Sequence, residues 1–104
     1  MAVRLLPIGT VIDLKDYEGQ LMIAGYAAIN ADEPGIVYDY MGFPYPRGCV
    51  TDDGIYYFNN YDIDGVYCVG YQDGEGIKFL AEVEENMDAI KATVAEAVDG
   101  SDEE

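Results

Sequence analysis

The hydrophobic period of the chain changes once, near Asp73, and no other feature limits the fold as much. Beyond that point Leu80, Val83, Met87, Ile90, Val94 and Ala97 recur at spacings of 3, 4, 3, 4 and 3, with Ile77 and Val98 flanking them. A helix gathers such positions on one face, whereas a strand would scatter them over both. The spacing predicts a helix from about Glu75 to Val98, roughly 36 Å long at about 1.5 Å per residue.

Before Asp73, short runs rich in tyrosine and β-branched residues alternate with turn signals. Strands are expected at 10–14, 21–29, 36–40, 55–58 and 65–71, with the first two forming a hairpin. Pro44 and Pro46 lack amide donors, so the stretch 41–48 is expected at a sheet edge or in an extended loop. Residues 59–64 read as a helical turn that pins Ile63 into the core. The fold class is therefore α+β: about five antiparallel strands in a curled sheet or SH3-like roll, plus a long C-terminal helix. With 104 residues this is one structural domain. It comprises a small β part (1–76), an amphipathic helix (77–98) packed on the sheet or projecting from it, and an acidic tail (99–104).

Charge and residue inventory exclude several functions. Twenty-one acidic residues against 5 basic ones give a net charge of −16. Such a surface repels nucleic acid and anionic lipid, whose binding requires cations. No histidine is present, which removes Ser-His-Asp and Cys-His catalysis and zinc sites of the usual type. Paired carboxylates (Asp52 and Asp53, Asp62 and Asp64, Glu84 and Glu85) are unsurprising in a chain this acidic, so no catalytic residue is assigned and a non-enzyme is expected. Cys49 and Cys68 are too few to staple a secreted mini-domain, Pro7 interrupts any leader-like apolar run, and no stretch reaches the length of a membrane span. A cytoplasmic location with reduced thiols is expected.

Asn60, Asp62, Asp64 and Gly65 imitate the opening of a calcium loop, but its twelfth position is Tyr71 and both flanks are strand-like. A structural turn capped by Asn and Asp is the better reading, with no metal and no cofactor. Ten tyrosines with no tryptophan must supply much of the core, leaving a binding face around Tyr40, Phe43 and Tyr45 as the alternative use for some of them.

Several segments together resemble a known bacterial family. They are LLPIGTVIDL from Leu5, LMIAGY from Leu21, YDYMGFPYPRG from Tyr38 and FNNYDIDGVYCVGYQDGEG from Phe58. In order and spacing, over about Leu5 to Leu80, they resemble the domain-of-unknown-function family DUF4176. That resemblance implies a small accessory protein of Gram-positive bacteria, encoded beside LXG-type toxins of the type VII secretion system. It carries over no catalytic residues; Pro7, Gly9, Asp39, Tyr45, Asn59 and Ile63 read as determinants of the fold.

The expected function is a cytoplasmic chaperone, adaptor or targeting factor that binds a secreted toxin or a small helical secretion protein. The seam Leu80, Val83, Met87, Ile90 and Val94 is the expected contact, with Tyr40, Phe43 and Tyr45 second. If the seam caps the chain's own sheet instead, it offers nothing to a partner. Residues 73–104 hold 11 acids and 2 bases, so pairing of this helix with a second copy, as a homodimer, meets charge repulsion that a basic partner does not. The alternative function is an immunity protein plugging a basic toxin site with Asp52, Asp53, Asp62 and Asp64.

Overall fold

The computed structural model describes residues 4–51 and 54–102, so Asp52 and Asp53 and the last two tail residues lie outside the described residues, as does the side chain of Val98. Five strands, β1 (Val11–Leu14), β2 (Gln20–Ile29), β3 (Val37–Tyr45), β4 (Tyr56–Phe58) and β5 (Ile63–Cys68), precede one helix, α1 (Gly74–Asp102). Among the described residues the four strand pairings are all antiparallel, in the order β4-β3-β2-β1-β5.

The α+β arrangement is as expected, five antiparallel strands and a long C-terminal helix. The sheet, however, is open rather than curled into a closed roll: β4 and β5 are its two edges and no ladder joins them. Only residues 59–62 link those edges, so sheet twist must bring their adjoining ends within reach of a single 3-10 turn, Asn60–Asp62. That turn is held from within. The Asn59 amide donates to Asp62 Oδ2 at 2.9 Å, and the Lys15 amide donates to the Asp62 carbonyl at 3.1 Å. Ile63 follows as the first residue of β5, half-buried against the core.

The strand β3 runs further than expected, through Gly42, Phe43 and Pro44 to Tyr45. Its pairing with β4 ends at Gly42↔Tyr56, while pairing with β2 continues through Leu21↔Pro44 to Gln20↔Tyr45. Pro44 thus sits where β3 has a neighbour on one side only, which is where a strand tolerates a missing N–H. A register shift between Ile23 and Gly25 sets Leu21, Ile23 and Tyr26 on one face, which strict alternation would forbid.

That face carries Ile12, Leu21, Ile23, Tyr40 and Phe58, all buried, with the Tyr40 and Phe58 rings stacked at 5.5 Å. The helix covers it with Leu80 and Met87, which are buried, and with Val83, Ile90 and Val94, which are half-buried against the same cluster. At 29 residues α1 is about 43 Å long, which matches the 45 Å length of the molecule. It also runs through most of the stretch expected as an acidic tail, carrying Gly100 at the usual cost of about 1 kcal/mol for a glycine in a helix.

Polar groups lock this packing. Lys91 Nζ pairs with the buried Asp39 carboxylate at 2.7 Å, and Asp39 Oδ2 also accepts the Asn60 amide at 2.9 Å. Glu84 Oε2 accepts the Leu5 amide at 2.7 Å. The Tyr40 hydroxyl accepts from the Leu6 amide at 2.9 Å and donates to Asn60 Oδ1 at 2.6 Å, while the Tyr26 hydroxyl donates to the Leu6 carbonyl at 2.6 Å. Burial pushes the phenols of both tyrosines up to about 12, so both stay protonated donors.

Candidate functional site

The rotation of α1 about its axis decides which side chains are left for a partner. Leu80 and Met87 fix it from the sheet side, and the bonds from Glu84 to Leu5 and from Lys91 to Asp39 fix it on one flank. The opposite flank is open between Asn86 and Val94. There Asn86, Ala89, Ile90, Thr93 and Val94 line a shallow, largely apolar groove of about 260 Å³. Asn86 folds its amide back onto the Glu82 carbonyl at 2.7 Å, which leaves the small side chains of Ala89 and Thr93 as the groove floor. At about 3.6 residues per turn the exposed Glu82, Glu85 and Glu96 border the same flank. The groove is therefore apolar along its length and acidic at its rim.

The expected contact residues divide. Leu80, Met87 and Tyr40 lie inside the chain's own core, at 8%, 0% and 0% exposure, and present nothing to a partner. Val83 packs beside them. Ile90 and Val94 do both jobs, touching the core with one side and lining the groove with the other. Phe43 is half-buried on β3, and Tyr45 at the strand's end is exposed. The seam thus folds back on the sheet, and only its C-terminal half borders solvent.

Asp52 and Asp53 lie outside the described residues, and the other carboxylates singled out in the sequence do not converge. Asp62 is spent on capping the Asn59 amide, Asp64 is exposed on β5, and Glu84 holds the N-terminal segment while Glu85 faces solvent. Among the described residues, no group of three or more His, Cys, Asp or Glu side chains could hold a metal ion. Asn60 gives its side-chain oxygen to Tyr40, so the apparent calcium loop is a structural turn. Cys49 and Cys68 are free and exposed.

The matched segments are those that build the sheet and the start of the helix. The family model of the domain of unknown function DUF4176 matches residues 5–79. The chain belongs to that family. The DUF4176 region ends one residue before Leu80, the first buried residue of α1, so the groove on the helix lies outside it. No curated protein and no solved structure matches the chain.

One surface escaped the sequence reading. Val66, Tyr67, Val69 and Tyr71 are exposed on and just beyond β5, and Tyr71 borders a hollow with Ile8 and with Phe79 near the start of α1. The run Gly65-Val-Tyr-Cys-Val-Gly-Tyr is equally suited to a strand buried on both faces, so composition alone carried no sign of its exposure. Among the described residues, no helix is long and apolar enough to cross a membrane.

Proposed function

We propose that this DUF4176 protein is a non-enzymatic accessory of type VII secretion, a cytoplasmic chaperone, adaptor or targeting factor. Its partner in this reading is an LXG-type toxin or the small helical protein that accompanies one. The groove along Ala89, Ile90, Thr93 and Val94 carries the reading, because small floor residues let the backbone of a second helix approach closely. The acidic rim and the net charge of −16 favour a helix with basic flanks and disfavour a second copy.

The test is co-purification with the helical LXG region of a toxin encoded beside the gene. Ala89→Arg places a long cation on the groove floor at an exposed position, so thermal unfolding should be unchanged. Capture of the LXG region is expected with wild type and at least about tenfold weaker with the variant, the usual scale for disrupting one well-packed contact. Equal capture by both rules out the groove. Capture of the toxin's catalytic end instead, weakened by salt and indifferent to Ala89→Arg, identifies an immunity protein.

A further inference from the structure

The edge strand β5 is the longer and the more exposed of the sheet's two edges. Edge strands usually escape unwanted pairing by being short or by carrying lysine or proline. The other edge, β4, is three residues long. By contrast, β5 has six residues, and no lysine or proline occurs between Ile63 and Gln72. Two register shifts in its pairing with β1 interrupt strict alternation at Asp64 and Tyr67. Val66 and Tyr67 are 47% and 59% exposed, and Val69 and Tyr71 just beyond the strand are 57% and 84% exposed. This edge is therefore apolar and uncovered, and among the described residues β5 pairs with β1 alone. At its C-terminal end, Ile8, Tyr71, Gly76 and Phe79 border a hollow of about 110 Å³, large enough for one anchoring side chain.

We infer that the free edge of β5 takes an extended segment of a basic polypeptide as a sixth strand of the sheet. Main-chain hydrogen bonds along the edge hold such a segment, and its side chains rest on the exposed Val66, Tyr67 and Val69. Charge selects the occupant. Asp64 lies within the strand, and Asp73 and Glu75 lie just past the apolar run, so lysine or arginine at the ends of the added segment meets carboxylates. A second copy is a poor occupant. Antiparallel self-pairing centred on Tyr67 and Cys68 sets Asp64 of each copy opposite Tyr71 and diagonal to Asp73 of the other, between two chains of net charge −16. This surface is separate from the helix groove and does not depend on it.

The probe is a nonapeptide with three valines alternating with two threonines and two lysines at each end, titrated into isotope-labelled full-length protein. Amide shift changes confined to 63–71 and β1 are expected. N-methylation of two alternate backbone positions removes strand donors and should weaken binding about tenfold or more. Glutamates in place of the lysines, or high salt, should weaken it by a similar factor, about tenfold. Val66→Thr with Val69→Thr should lower affinity without unfolding the sheet, whereas Ala89→Arg should leave peptide binding unchanged. Shifts elsewhere, no shifts at millimolar peptide, or equal binding of the N-methylated peptide each overturn the inference. So does concentration-dependent self-association that Val69→Thr abolishes, since the occupant is then a second copy.

Discussion

Removing a single oxygen, by Tyr40→Phe, tests how the sheet, the 3-10 turn and the N-terminal segment are joined. The ring is fully buried and keeps its packing against Phe58 and Tyr26 in the variant. What is lost is one acceptor for the Leu6 amide and one donor to Asn60 Oδ1. Two net hydrogen bonds at about 1 kcal/mol each give a loss of about 2 kcal/mol; Leu6 and Asn60 are only half-buried, so water limits the penalty to about that figure. With a urea m-value of about 1–1.5 kcal/mol/M, the unfolding midpoint should fall by about 1.5 M. The deficit should also depend on pH in a definite direction. Burial holds the Tyr40 phenol at about 12, above its ordinary value of 10.0. Between those values the folded chain keeps a proton that the unfolded chain releases, so the wild type loses stability as pH rises, by up to about 1.4 kcal/mol per pH unit. Phenylalanine has no such loss, and Tyr26 contributes equally to both proteins. The wild-type advantage is therefore full below about pH 10 and vanishes near pH 11.5. A variant within about 0.5 kcal/mol of wild type at pH 8 refutes the bonding, and a deficit unchanged at pH 11.5 refutes the electrostatics.

Replacing Lys91 with methionine leaves Asp39 buried with the Asn60 amide but without its cation, and should cost about 2 kcal/mol by urea unfolding; the lysine is a third exposed, so the full penalty of a buried charge does not apply. A value near zero would mean the pair does not hold the helix in its rotation. Gly70→Ala sets a new Cβ against the Ile8 carbonyl and 2.9 Å from the Thr10 nitrogen, both of them backbone, and should lower stability by about 2–3 kcal/mol in thermal unfolding. Wild-type stability in that variant would show that the chain past β5 is free to move off β1.

Much of the fold was legible because local signals agreed with one another. Proline and glycine punctuation located five strands, although β5 lies at 63–68 rather than at the expected 65–71 and the helical turn is confined to 60–62. The heptad spacing located the helix, since a face of Leu80, Val83, Met87, Ile90 and Val94 has no other ready burial. Long-range features were less accessible. That β3 continues through Pro44 depends on β4 being too short to reach it, a property of a different segment. The Ile23–Gly25 register shift, which turns Tyr26 toward the helix, leaves no mark that periodicity can read. Whether the sheet closes is likewise settled by two edges far apart in the ladder, not by any one strand.

The site divides along the same line. A seam is a statement about one surface of a helix, and it is silent about what covers that surface. Here Leu80 and Met87 are used by the chain's own sheet, and Ile90 and Val94 are used only in part. Rotation of the helix, set by Lys91 on Asp39 and Glu84 on Leu5, decides that division, and neither partner lies near its mate in sequence. The β5 edge shows the converse. Val66 and Tyr67, with Val69 and Tyr71 just past the strand, are exposed, yet in sequence they match a strand destined for burial. The distinction between a core strand and a docking strand lies in whether a neighbour exists, and among the described residues β5 has one neighbour, β1, and a second side left unpaired.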